Sequence, residues 1–229
     1  MGTLQEQIAV VVPTLDAAED LPATLAALAD SGLIREIIVS DGGSCDDTVA
    51  IACQAGARIV AAPRGRGSQL AAGAAAAPGD WLLFLHADCR PLPGWTEAVA
   101  AFLAAPDAPA RAGYFALTLD DESAAARRLE RIVAWRSRAL ALPYGDQGLL
   151  ISRALYDEVG GFRPLPLMED VDLARRLGRH RLAPLGIPLR ASARRYRRDG
   201  YVRRPLRNLF CLSLYFAGVP PRLIVPFYA

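Results

Sequence analysis

The chain contains no lysine: all 26 of its basic side chains are arginine. Its four cysteines, Cys45, Cys53, Cys89 and Cys211, show no Cys-x-x-Cys spacing. That argues against a zinc site or a disulfide framework and leaves them as reduced bystanders. Long hydrophobic runs are missing too, since the longest C-terminal one, Leu209 to Val219, falls short of the ~20 residues a spanning helix needs. The opening "MGTLQEQIAVVVP" lacks the basic flank and small-residue cleavage site of a signal peptide, so a cytoplasmic location is expected. There is no internal repeat and no low-complexity linker, and no nucleic-acid reader motif accompanies the arginines, which argues against nucleic acid as partner.

What is present fits one domain of 229 residues, long enough to bury roughly three quarters of its unfolded surface. The net charge of +2 hides an asymmetry. Met1 to Phe162 carry 12 arginines against 20 acids, whereas Arg163 to Ala229 carry 14 arginines against 4 acids. A basic C-terminal third points to an anionic partner, a phosphate-bearing ligand or a membrane surface, although a solvated arginine face accounts for the same counts.

Ile8 to Val12 is a β-branched run stopped by Pro13, and "EIIVS" is another, stopped by Asp41, Gly42 and Gly43; both read as buried parallel strands. Between them Leu21, Leu25 and Leu28 recur at helical spacing within Ala17 to Ser31, with Gly32 as the stop. Asp46 and Asp47 are placed to cap a helix running to Ala55, "RIVAA" follows as a strand, Ser68 to Ala77 as a helix, and Trp81 to His86 as a strand. This alternation predicts an α/β fold: right-handed crossovers building a Rossmann-like, mostly parallel central sheet with helices on both faces. Ligands of such sheets sit beyond the carboxyl ends of the strands. Pro13 to Asp16, Asp41 to Ser44 and His86 to Asp88 are therefore expected on one edge. After a helix over Pro93 to Ala105 the alternation breaks. "AGYFALTL" reads as a strand and Glu122 to Leu142 as a long helix with Leu129, Ile132 and Val133 inward and arginines outward. "QGLLISRALYDEVGGF" is a strand and helix, and "EDVDLARRLGR" a helix with acids in its first turn. Residues 1–105 form a nucleotide-sized half of the single domain, and 106–229 a less regular half with a helical tail that binds something else.

A buried strand delivers Asp88 to the ligand edge, where a carboxylate can bind a hard divalent cation that bridges two phosphates; as a plain turn residue ahead of Pro91 it needs no ligand. His86 lies two residues earlier. Asp41 is followed by glycines that let a ligand approach the backbone, or it simply makes a turn. Arg64 and Arg66 of "PRGRGSQ" precede a helix N-terminus, where N–H groups and the dipole favour phosphate, though the Gly-x-Gly between them is not the full dinucleotide fingerprint. Glu169 and Asp170 open a helix, where the dipole alone favours acids by about 0.3–1 kcal/mol each. A carboxylate there that faces a hydroxyl can instead act as general base.

Taken in this order, "VVVPTLDAAEDL", "IIVSDGGSCDDT", "RGRGSQLAAGAAAAPGDWLLFLHADC", "GDQGLLISRALYDEVGGF" and "MEDVDLARRL" resemble the family 2 glycosyltransferases of the GT-A fold, over about Ile8 to Arg207. The "HAD" variant, the "GDQ" and "ARRYRRDG" are most similar to the subgroup called rSAM/selenodomain-associated transferases. The resemblance implies inverting transfer of a sugar from a nucleoside diphosphate sugar, UDP-linked, to a hydroxyl acceptor that is a small or lipid-linked molecule. It implies Asp88 as ligand of Mn or Mg on the diphosphate, with His86 and Ala87 completing the strand-end motif, and Asp170 as base with Glu169 beside it. Pro13, Thr14, Glu19, Asp41 and Gly42 would line the nucleoside pocket, and Arg194 and Arg195 would clamp the diphosphate. The chain departs from the family pattern at His86, which stands for the first Asp of Asp-x-Asp, and at Leu15 and Asp16, which stand for an aromatic and Asn.

Two rival readings differ in chemistry. A nucleotidyltransferase would use the same edge, but "PTLDAAED" lacks its Gly-rich loop. A membrane-surface-associated nucleotide-binding protein would lay the Arg/aromatic tail on anionic lipid at the inner membrane face, whereas the same apolar residues also suit a helix packed on the sheet.

Overall fold

The computed structural model describes residues 8–29 and 31–228. Met1–Gln7, on which the leader expectation partly rests, and Asp30 lie outside the described residues. In chain order the first half comprises β1 (Ile8–Thr14), α1 (Leu21–Leu28), β2 (Ile34–Asp41), α2 (Thr48–Gln54), β3 (Arg58–Ala61), α3 (Arg66–Ala76), β4 (Trp81–Phe84), β5 (Cys89–Pro91) and α4 (Trp95–Leu103). The second comprises β6 (Ala112–Leu119), α5 (Ala124–Leu140), β7 (Leu149–Ser152), α6 (Arg153–Glu158), α7 (Glu169–Leu177), β8 (Leu182–Ala191), α8 (Arg194–Asp199), α9 (Arg203–Phe216) and α10 (Pro221–Tyr228).

The strands form one sheet in the order β3-β2-β1-β4-β7-β6-β8-β5. From β3 to β4 it is parallel, as crossovers through α1, α2 and α3 require. Beyond β4 it is mixed: β7 is antiparallel to both β4 and β6, β6 and β8 are parallel, and β5 returns antiparallel along β8. The break in strand-helix alternation after residue 105 thus marks the change from parallel to mixed pairing.

The strand period of two feeds two cores. Ile8, Val10 and Val12 with Trp81 and Leu83 pack beneath α1, α4 and α5, while Ala9 and Val11 with Leu82 and Phe84 pack beneath α3, α6 and α7. A third, smaller cluster joins Leu167, Met168 and Val171 to Cys211, Leu212 and Ile224 of the tail helices, so α9 is packed along one side.

Four expectations are corrected. Strand β1 runs through Pro13 to Thr14, pairing Pro13 with Ser40. This is tolerated because Val11 turns its backbone toward β4 (its carbonyl accepts Leu85 N), so Pro13 presents its missing N–H to the same side, from which β4 has departed after Phe84. The strand expected to reach His86 ends at Phe84, and Leu85 to Asp88 form the site loop. At the start of α2 Asp46, rather than Asp47, accepts Thr48 N (3.0 Å). On α5 the inward stripe is Leu129, Val133 and Ser137, at a spacing of four, and Ile132 is 55% exposed. Nor do all arginines face outward, because Arg136 donates to Leu142 O (2.9 Å) and to Gln147 Oε1 (3.1 Å).

Helix α3 approaches β1 so closely that a Cβ on Gly73 would overlap the Val11 side chain. Gly73→Ala is expected to lower the unfolding free energy by about 1–3 kcal/mol, read from a urea midpoint that falls with unchanged slope.

Candidate functional site

The carboxyl ends of β1 and β2 are knitted into a closed loop pair. Gln69, buried on α3, donates its amide to Thr14 O (2.5 Å) and Ser40 O (3.1 Å). Asp41 accepts the Thr14 and Ser44 hydroxyls on one oxygen and the N–H groups of Gly43 and Ser44 on the other, all within 2.9 Å. Its partial burial opposes ionisation, but these donors win and hold the carboxyl below its ordinary pKa. Asp16, at φ 50°, accepts Cys45 N (2.8 Å), and Asp46 accepts Ala18 N (3.0 Å). Pro13, Thr14, Asp41 and Gly42 are therefore brought together, with the Asp41 oxygens committed to the loop itself.

The loop after β4 carries His86, Ala87 and Asp88. Thr24 of α1 anchors it by donating to Ala87 O (2.7 Å), and Cys89 N donates to His86 O (3.1 Å). His86, Asp88 and Cys89 each present a ligand atom within 4.8 Å of one another. His86 Nε2 is buried without a hydrogen-bond partner and crowds Gly145 so tightly that a Cβ there would overlap it. Burial first, then the Arg66 charge, push the His86 pKa down to about 4, against the opposing pull of Asp88 and Asp170. The ring is thus neutral near pH 7 and available as an acceptor or ligand. Cys89, expected to be a bystander, instead sits beside the candidate ligands. Its thiol lies 3.6 Å from Asp88 Oδ1 and 3.7 Å from Asp146 O, and burial, with Asp88 and Asp146 nearby, raises its pKa well above the ordinary value.

Helix α7 delivers Glu169 and Asp170 opposite this loop. Its N-cap, Met168, is left-handed (φ 65°), which turns the chain sharply into the helix. Asp170 Oδ2 accepts Gly145 N (2.8 Å), and Oδ1 accepts Val171 N (2.7 Å). Glu169 is 1% exposed and pairs with Arg66, the first residue of α3, at 3.3 Å. Burial lifts the Glu169 carboxyl to about 7, with Asp170 adding to the rise and Arg66 opposing it. Burial disfavours the Arg66 charge, yet Glu169, Tyr228, Asp170 and Asp88 together raise its pKa.

A chamber of about 410 Å³ joins these groups; Arg66, His86, Asp88, Asp170 and Arg195 all line it. Arg64 is exposed and lies outside that lining. Arg194 does not reach the chamber either, because its guanidinium pairs with Glu19 and with Asp20 (2.6 Å) at the entry to α1. Of the two expected clamps, then, only Arg195 faces the chamber. Arg194 and Glu19 instead tie the C-terminal half to the first loop.

Sequence reasoning passed over Asp146 as a site residue. It lines the chamber, its Oδ1 is buried without a hydrogen-bond partner, and burial, with Asp170 and Asp88 nearby, raises its pKa against Arg136. The signal was the carboxylate of "GDQ" directly ahead of β7: the neighbouring Gln147 donates to Phe115 O (3.0 Å) and accepts from Ser137 (2.8 Å), which fixes this turn and aims Asp146 into the chamber.

A sheet of this order, with its polar chamber at the strand ends, has the GT-A glycosyltransferase fold. The model of the family "Glycosyl transferase family 2" matches residues 9–160, and the chain belongs to that family. Over 100 residues it is 39% identical to the TPR repeat-containing protein Synpcc7942_0270 of Synechococcus elongatus. That stretch is 42% of this chain and 24% of the relative, so the match spans about a quarter of the relative's length. Glucosyl-3-phosphoglycerate synthase from Mycobacterium tuberculosis, in complex with Mn2+, UDP-glucose and glycerol 3-phosphate, is similar at 25% identity and TM-score 0.57, over 80% of this chain and 71% of that one. S. aureus TarS 1-349 shares the fold at 16% identity and TM-score 0.65, over 97% of this chain and 69% of that one.

The raised Glu169 pKa makes stability depend on pH. The folded protein holds this proton more tightly than the unfolded chain does. The group's contribution is therefore complete below its ordinary 4.5 and is lost as pH rises through about 7. Relative to Glu169→Gln, the wild type is expected to lose unfolding free energy across that window in urea titrations; parallel curves would contradict the assignment.

Proposed function

We propose that this protein transfers a sugar from a nucleoside diphosphate sugar, UDP-linked, to a hydroxyl acceptor with inversion at the anomeric carbon, and that it falls in the rSAM/selenodomain-associated subgroup. In this reading residues 1–105 bind the donor and 106–229 the acceptor. The enzyme works in the cytoplasm, peripheral at the inner membrane face, on a small or lipid-linked alcohol. The observation that carries the reading is the chamber itself, whose lining includes Asp170, His86 and Asp88 of the loop, and the cations Arg66 and Arg195.

The donor set suits a divalent cation through one carboxylate (Asp88) and one neutral imidazole with a buried unpartnered nitrogen (His86), together less anionic than a pair of carboxylates, while the Cys89 thiol beside them stays protonated and adds no charge. Mn2+ or Mg2+ held there, with Asp88 as the principal ligand, would neutralise diphosphate charge as a Lewis acid when bound. Arg66 and Arg195 add fixed positive charge for the departing diphosphate. Pro13, Thr14, Asp41 and Gly42 form the wall for the nucleoside, and the closed hydrogen bonding of Asp41 suits a rigid platform.

Asp170 is the base. The Gly145 N–H fixes Oδ2, so the carboxylate is oriented before substrate arrives. The acceptor oxygen forms its bond to the anomeric carbon while the bond from that carbon to the diphosphate oxygen breaks. The hydroxyl proton passes to Asp170, and the electron pair leaves with the diphosphate. Glu169, lifted to about 7, sits beside Asp170 and restrains it through the Arg66 pair. Asp146 offers a third carboxyl for an acceptor hydroxyl.

Asp88→Asn is expected to abolish Mn2+-dependent donor binding in calorimetry, and full retention would sink the metal assignment. Asp170→Asn should keep donor affinity while lowering kcat about 10²- to 10⁴-fold, the usual contribution of a general base. Collapse of donor affinity in that variant would contradict the base role.

A further inference from the structure

Among the described residues, every large apolar side chain left exposed lies on α5, α9 or α10, or at Val202 just before α9. Trp135 (61% exposed), Leu206 (59%) and Leu209 (58%) also line the chamber, so they stand at its mouth. Phe210, Leu223 and Phe227 extend the patch away from it, with the Phe210 and Phe227 rings edge to face at 5.8 Å. Monomeric surfaces rarely gather so many large apolar groups without a partner.

The charge around the patch selects the partner. Residues 201–228 contain four arginines and no acid; Arg204, which is buried, and Arg207 pair with Asp199 just ahead of them, which leaves Arg203 and Arg222 for a partner. Helix α5 contains five arginines and one acid, Glu130, whose carboxylate is spent on Leu119 N (2.7 Å) and Arg127 (2.9 Å). Arg128 and Arg131 form a groove with Ile132 and Trp135, and Arg203 and Arg222 stand exposed on α9 and α10. A second copy docking this face on itself would set arginine against arginine with almost no acid to offset them. An anionic bilayer satisfies both features at once: its interface takes the apolar side chains and its headgroups take the arginines. No helix among the described residues is long and apolar enough to cross a membrane, so contact of this kind lies in the interfacial plane.

We propose that the α5–α9–α10 face docks on an anionic lipid surface and that the acceptor is an amphiphilic alcohol of that bilayer, entering between Trp135 and Leu209 to bring its hydroxyl to Asp170. The acceptor assignment rests on the transferase reading; the docking does not. The chamber has both kinds of lining that such a molecule needs: Leu129, Val133 and Leu212 offer apolar wall, and Asp88, Asp146 and Asp170 offer polar groups.

Trp135 reports on the contact, since Trp81 and Trp95 are buried at 3% and 6% exposure. The purified chain is mixed with vesicles of phosphatidylcholine alone or with phosphatidylglycerol added, and sedimentation and tryptophan emission are followed. Binding is expected only with phosphatidylglycerol, with a blue shift that Trp135→Phe removes and quenching by brominated acyl chains. Phe210→Glu combined with Leu223→Glu should weaken vesicle binding by at least about tenfold, as should the conservative pair Arg128→Gln and Arg222→Gln, which keeps the apolar face intact. UDP binding by calorimetry on the same samples is expected to be unchanged in both variants. Absence of vesicle binding with UDP binding intact would overturn the docking and leave the transferase reading standing. So would a dimer that shields Trp135 in lipid-free solution, or equal binding to neutral vesicles. Vesicle binding without any nucleotide binding would overturn the acceptor assignment instead.

Discussion

The Arg66–Glu169 ion pair is the contact on which the arrangement of the site depends. It joins the first residue of α3 to the first residue of α7, and so locks a crossover of the parallel half to the element that carries Asp170. Removing Arg66 would leave the buried Glu169 without the cation that offsets its burial and drive its carboxyl further toward the protonated form. The same guanidinium faces His86 and helps to keep that ring neutral. One arginine thereby fixes the helix position, the protonation of a candidate ligand and the proton affinity of a carboxyl beside the proposed base.

Four carboxyl groups, Asp88, Asp146, Glu169 and Asp170, bear on one region, and their environments differ. Glu169 is sealed against Arg66 and Asp146 is buried with an unpartnered oxygen, whereas Asp170 is tethered to the Gly145 N–H. Separate environments let neighbouring acids hold different protonation states at one pH, which is how acid and base roles are divided on a single scaffold. Arg66, Arg136 and Arg195 line the same chamber and offset the crowding.

Much of this was legible in the sequence. The apolar runs Ile8–Val12 and Glu36–Ser40 fixed the parallel half because buried strands need continuous β-branched side chains. The strand-end rule then brought Thr14, Asp41 and Asp88 to one edge. What escaped was set by tertiary pairing. Mixed strand order beyond β4 has no local signature, and Ile132 could not be separated from Leu129 by helical spacing alone. Arg194 and Arg195 are adjacent in sequence, yet α8 points one at Glu19 and the other into the chamber. Cys89 and Asp146 meet only because β5 and the turn ahead of β7 converge, a contact 57 residues apart in the chain.

The most direct measurement is a calorimetric titration of the purified protein with UDP, GDP, TDP and CDP, each with and without Mn2+. The account predicts that UDP alone of the four binds well and that Mn2+ strengthens it by at least about tenfold, as expected when a cation bridges carboxylate and diphosphate. Failure of every diphosphate to bind, or binding indifferent to Mn2+, would contradict a donor site at the His86 to Asp88 loop.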